Sequence, residues 1–510
     1  MFGKLGRLFK QPVAVAAGML LSLMAAGWVW WWFPPLPRVT WHVASRIDSL
    51  HISGNGRVIA VVSGKSELSL WDAESGRLEG LQTPSRALPD AESVRLLGKP
   101  TGSRGLSLDV LSAAGDTVVF HEYDVVHLGS NLGEIPQPAK LWRPSSDKEP
   151  IPLPGGFPRA YSAKEDLINL DEKLWELQKG RKRPVPEGMK NLFWTQAVQD
   201  GRILGIVRNE KEPVTVWDLT SQKKLLTLPG AERHFLFSAD GRRVAAKAGN
   251  DINVWDLVSG TQHAVIKRGE EALTPSRFSP DASWLITHQR VDPTHDSGAI
   301  YDRLWNIEAK PPREEAPPRP DLMLPSYGFS GDGEWLLEAA HPGSLPRHTE
   351  YKIYSVSNLK RPVLSLVHND SSLAHPEFAA DSRSVAGTML EEYSSLVLLD
   401  WILRPRSKQR VVIKVWELPT ARQLAAIDQG PPLPFPAGHH FVFMPHGKGL
   451  VTWKENIVEI WDIPPRRPVL VDYGLPVLFA LLLLFGIGTM WSFGRRRSTE
   501  ASQATEISRH

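Results

Sequence analysis

The chain has 510 residues, no cysteine, and a formal net charge of +3 from 59 basic against 56 acidic residues. Without cysteine there is no disulfide framework, thiolate metal site or cysteine nucleophile. The near balance of charge, with no long basic block, lacks the electrostatic footprint of a nucleic-acid binder.

In chain order, the first element is a short tail, 1–12, carrying Lys4, Arg7 and Lys10. Residues 13–33 follow as 21 residues without a charge, stopped by Pro34 and Pro35. At 1.5 Å rise per residue this is long enough to cross a bilayer core of about 30 Å, so it predicts a transmembrane helix. Trp28, Trp30, Trp31 and Trp32 occupy the place where a signal peptide needs a small-residue cleavage site, and they suit a membrane interface instead. Ala14, Gly18, Ser22 and Ala26 fall four apart on this segment and let a second helix approach closely, either the other span or the same span of a second copy in a homo-oligomer. Residues 475–493 form a second uncharged run of 19, followed by Arg495, Arg496 and Arg497 in a tail, 494–510. Basic residues outside both spans put both termini in the cytoplasm and the intervening 39–471 on the far side of the membrane. The lipid bilayer is thus one expected partner, and the expected location is a bacterial inner membrane with an extracytoplasmic domain.

Between the spans the chain repeats itself. The runs LSLWD, VTVWD, INVWD and VEIWD end at Trp71-Asp72, Trp217-Asp218, Trp255-Asp256 and Trp461-Asp462. Degenerate copies end at Trp305-Asn306, Tyr354-Ser355 and Trp416-Glu417. Trp217 to Trp255 is 38 residues and Trp416 to Trp461 is 45, close to the roughly 40 to 45 residues of a four-stranded propeller blade. Upstream of these runs, turn segments recur in phase, among them FSADGRRVAA from Phe237, FSPDASWLIT from Phe278 and FSGDGEWLLE from Phe329. Their Asp-Gly and Pro-Asp pairs supply tight turns, so each reads as strand, hairpin and strand.

This pattern resembles the WD40 repeat family of β-propellers, over nearly all of 39–471. The resemblance implies an all-β WD40-like propeller, with eight blades favoured and seven the competitor, flanked by two transmembrane α-helices. The region 107–180 offers only Leu141-Trp142 and Leu174-Trp175-Glu176 as anchors, and 161–180 is short for a blade. The family's Gly-His dipeptide occurs in phase once, at Gly438-His439. Because a ring must join its ends, Val39 to Val43 is expected to pair as an added strand with the last blade.

Trp71, Asp72, Trp217, Asp218, Trp255, Asp256, Trp305, Trp416, Trp461 and Asp462 are the structural repeat positions, with the tryptophans packed between sheets. No catalytic, cofactor-binding or metal-ligating residue is assigned. Neither G-x-S-x-G, H-E-x-x-H nor a P-loop occurs. Adjacent strand residues face opposite ways, so His439 and His440 cannot easily share a metal. Asp240, Asp281 and Asp332 need only turn chemistry to explain them. The expected function is a non-catalytic, membrane-anchored scaffold that binds proteins. The alternative, a periplasm-facing enzyme of quinoprotein-like dehydrogenase type, has no cofactor-binding constellation in the sequence to carry it.

Overall fold

The computed structural model describes residues 35–466 except 65, 85–98, 129–130, 148, 154–157, 163, 165–166, 171–172, 178, 180, 190, 210–211, 268–272, 291–299, 316–322, 343–348, 369–374, 394–407 and 434–438. Two compact units divide the chain: Val39–Ile460, and the flanking segments Met1–Arg38 with Trp461–His510.

The larger unit is built from short antiparallel strands whose apolar patterns follow their depth. Second strands of blades read as continuous apolar runs, such as VIAVVS at Val58–Ser63 and ILGIV at Ile203–Val207, and every residue in both is buried. A strand covered on both faces has no solvent side to alternate with. Some third strands alternate: in Val214–Asp218, Val214 and Val216 are buried and Thr215 is half-buried.

Nine sheets form among the described residues, eight from strands consecutive in the chain. The fifth blade shows the pattern: Arg233–Phe237, Arg243–Ala248, Asp251–Asp256 and Gln262–Ile266, hydrogen-bonded in that order. First strands of successive blades touch, as Arg233–Phe237 does Leu273–Phe278 and Glu377–Phe378 does His440–Phe443, so these strands lie innermost. The second blade carries a fifth strand, Asn131–Pro136, paired with Val118–Leu128.

The ninth sheet closes the ring. Its inner strands are His440–Phe443, Gly449–Lys454 and Ile457–Asp462, and its outermost strand is Val39–His42 from the other end of the chain. The register pairs Val39 with Ile460, Thr40 with Glu459, Trp41 with Val458 and His42 with Ile457, as expected for the VTWHV segment. In the flanking unit, Leu36 N donates to Arg466 O at 3.0 Å, and Arg38 pairs with Asp462 at 3.5 Å.

The expectation of eight blades between two transmembrane helices is corrected here. Leu141-Trp142 and Leu174-Trp175-Glu176 lie on third strands of two different sheets, Lys140–Trp142 and Lys173–Glu176. The stretch that looked too short is a whole blade: Pro158–Ser162, Leu167–Leu170, Lys173–Glu176 and Arg181–Arg183. Its strands are only three to five residues long, so four of them fit within less than the usual repeat period. The described residues hold one helical element, the 3-10 turn Glu187–Met189, and no helix long and apolar enough to cross a membrane. The apolar runs 13–33 and 475–493, the small-residue stripe and both tails lie outside the described residues.

Candidate functional site

Five of the repeat tryptophans sit where one blade meets the blade before it. Trp217 packs with Leu167 and Leu174 of the third blade and Met189 of the 3-10 turn after it, and Trp255 with Leu204, Ile206 and Val216 of the fourth. Trp305 packs on Ile252 and Val254 of the fifth, Trp416 on Tyr351 and Ile353 of the seventh, and Trp71 on Val451 and Val458 of the ninth. Trp255, Trp305, Trp416 and Trp461 are buried, while Trp71 and Trp217 are half-buried. Indole N–H groups find partners nearby: Trp71 donates to Ser69, Trp217 to Thr215 and Trp305 to Thr287, at 2.9 to 3.0 Å. At Trp71, Trp217, Trp255 and Trp416 the pairing of third with fourth strand shifts register.

The aspartates that follow are turn caps. Asp256 Oδ1 accepts from the backbone N–H of Val258 and Ser259, and Asp218 Oδ1 accepts from Thr220 and Ser221. Asp72 accepts from the hydroxyl and backbone N–H of Ser75, which hold its carboxyl below the usual carboxylate range; Ser259 does the same for Asp256 through its backbone. Asp240, Asp281 and Asp332 cap the inner hairpins, each accepting from a serine two residues back: Ser238, Ser279 and Ser330. Those serines are fully buried, and each also accepts the backbone N–H five residues on. This serine is a second repeat device that the turn pattern contained in plain view.

The histidines of the last blade point apart. His439 is buried, its Nε2 3.1 Å from Pro431 O, whereas His440 is exposed and stacks on Trp453 with ring centroids 5.3 Å apart. An open cleft of about 650 Å³ beside the first two blades is lined by Arg57, Asp72, Glu79 and Asp116, of both signs, with no convergence on one chemistry.

The innermost strands carry the distinctive surface. In blades one to six the pairing of first with second strand slips, leaving extra residues that include Asp48, Asp109, Arg159, Phe193, His234 and Ser276. A bulge re-aims side chains that regular pleating would send to opposite faces. In the fourth blade the consequence is an aromatic pair: Phe193 is 56% exposed and its neighbour Trp194 45%. The Arg208 guanidinium carbon lies 5.8 Å from the centroid of the Phe193 ring, and Phe235 of the fifth blade meets that ring edge-on at 6.2 Å.

In the sixth blade the extra residue is Ser276, and three side chains line up across three strands. Ser276 Oγ is 2.8 Å from His288 Nε2, and His288 Nδ1 is 2.5 Å from Asp302 Oδ1. The other Asp302 oxygen accepts the backbone N–H of Tyr327 at 2.7 Å. His288 and Asp302 are directly opposed in the register, and the bulge between Pro275 and Arg277 brings Ser276 to the far side of the same imidazole. The Asp302 side chain is 5% exposed and that of His288 44%, so the carboxylate is covered while the imidazole stays accessible. No sequence motif announced these residues, because they come from three strands and meet only through register. A second, simpler pair occupies the same place in the second blade, where bulged Asp109 is 2.9 Å from His121 Nδ1.

No family model matches the chain, and no curated protein matches it. Solved structures similar to it include one described as a crystal structure of the eukaryotic initiation factor, at TM-score 0.47 and 14% identity, covering 78% of this chain and 91% of that one. Another is the Cps50 (Swd1) beta-propeller domain of Myceliophteria thermophila, at TM-score 0.33 and 11% identity, covering 84% of this chain and 100% of that one. Likeness of that order carries nothing about function. The nine sheets of the described residues themselves define a β-propeller.

Proposed function

We propose that the propeller is a protein-binding scaffold whose contact centre is the Phe193–Trp194 pair on the innermost strand of the fourth blade. The observation that carries this reading is the bulge, which holds two consecutive large aromatics open to solvent beside the Arg208 cation. Tryptophan, tyrosine and arginine dominate binding energy at protein interfaces, and rigid aromatics lose little conformational entropy when covered. This binding role is non-catalytic.

The test uses the full chain, kept in detergent, as bait. The double substitution Phe193→Ala, Trp194→Ala is expected to weaken capture of its partner at least about 30-fold, the equivalent of a hot-spot loss of 2 kcal/mol. Both rings are already exposed, so the unfolding midpoint should stay in place. Undiminished capture by the double variant would remove the pair from the interface. The same preparation's absorption spectrum addresses the dehydrogenase alternative, since a bound quinone would absorb above the protein bands.

The location belongs to this proposal too. The uncharged runs 13–33 and 475–493, with basic residues on their outer flanks, support attachment to a bacterial inner membrane with the propeller on the extracytoplasmic face. Alkaline phosphatase inserted after Glu315 should be active, and a fusion after His510 silent. The reverse pattern would invert the topology.

A further inference from the structure

We propose that Ser276 is a nucleophile toward carboxylic esters, activated by His288 and oriented through Asp302. This activity lies beyond the scaffold role and stands on a different blade.

An ionised carboxylate can only accept, so the short contact between Asp302 Oδ1 and His288 Nδ1 places the ring proton on Nδ1. In the neutral imidazole Nε2 then carries the lone pair, 2.8 Å from Ser276 Oγ, and the serine O–H donates to it. That is the protonation pattern in which an imidazole takes a serine's proton as the oxygen attacks. Asp302 is a positioning residue: covered from solvent and tied by its second oxygen to the Tyr327 N–H, it fixes both the tautomer and the ring plane. Recognition of such a site rests on geometry and roles, because the same three groups recur on unrelated folds in different chain orders.

The surroundings fit a reacting site better than a buried strut. Ser276 is half-buried and Arg277, next in the chain, is exposed. Arg277 has no ion pair among the described residues, and its guanidinium approaches the neighbouring innermost strand at Gly328, one residue beyond the Tyr327 that binds Asp302. A cation at this blade junction suits the negative charge that develops on an attacked carbonyl oxygen.

Ser276 Oγ forms a bond to the ester carbonyl carbon as its proton passes to His288 Nε2. The C–O bond to the alcohol then breaks, and that alcohol leaves with the proton from His288. Water, deprotonated by the same nitrogen, attacks the acyl-serine and releases the carboxylic acid, restoring Ser276.

The experiment treats the folded full chain in detergent with a biotinylated fluorophosphonate. Ser276 Oγ would bond to phosphorus as fluoride leaves, and mass spectrometry of the digested chain would place the adduct on Ser276. His288→Gln should slow labelling at least about 100-fold, the low end of what a general base contributes. Arg277→Gln, which leaves the relay intact, should slow turnover of 4-nitrophenyl acetate at least about tenfold. Ser276→Ala should abolish labelling without moving the unfolding midpoint, and that midpoint, measured for each variant, separates lost chemistry from lost folding. An unlabelled Ser276 in folded wild-type chain would overturn the proposal, as would labelling at an unchanged rate in folded His288→Gln; either result would leave the relay as a structural tie between strands.

Discussion

Trp41→Ala should open the ring. Trp41 lies on Val39–His42, the one strand that completes a blade from the opposite end of the chain, and it is 5% exposed. Its indole stacks on Trp71 of the first blade, with centroids 5.6 Å apart and planes 24° from parallel. Around it, Val43, Ile47 and Ile59 meet Val451, Val458 and Ile460 of the last blade. Truncating a buried tryptophan costs about 3–5 kcal/mol through lost transfer energy and the cavity left behind. At this position the loss falls on the joint that every other blade depends on for closure. Two sheet edges become available when the closing strand frays, and exposed edges pair with other chains. The expected result is a fall in the denaturant midpoint, faster amide exchange at Val458 and Ile460 than in the fifth blade, and concentration-dependent aggregation. Trp41→Phe should recover most of the loss. Unchanged exchange at the last blade's third strand would show that the closing strand does not depend on Trp41.

Trp255→Ala should cost a comparable 3–5 kcal/mol, by order of magnitude, without touching closure. Trp255 is 4% exposed and fills the joint between the fourth and fifth blades, against Leu204, Ile206, Val216 and Phe237. Neighbouring sheets offer no flexible surface that can collapse into the space of a lost indole, and close-packed interiors relax only partly. Denaturant unfolding checks it through the midpoint shift, with amide exchange accelerating in the fourth and fifth blades first. A variant with an unchanged midpoint but a lost binding activity would make Trp255 a ligand-stacking residue and refute its role between sheets. Comparing the two tryptophans also asks whether blades unfold singly or together, since arrays of repeats owe their cooperativity to the interfaces between neighbours.

The repeat was legible because its signals are local. Apolar alternation, Asp-Gly hairpins and the terminal Trp-Asp pair lie within contiguous residues, and backbone and turn chemistry translate them directly into strands and turns. The closing role of the VTWHV segment was legible for a different reason: a ring with free edges is costly, and that segment lies at the start of the repeat region and is apolar enough to pair with the last blade. The blade count was not, because 158–183 makes a sheet from strands too short to show a period. What only the tertiary structure decided is which side chains meet across strands. The aromatic pair exists because one register slip turns Phe193 outward beside Trp194. Ser276, His288 and Asp302 stand 12 and 14 residues apart in sequence and converge because one bulge and one directly opposed pair align three strands. A chain's own order specifies strands and turns by local preference, whereas register is settled only when sheets pack, and here the candidate chemistry depends on register.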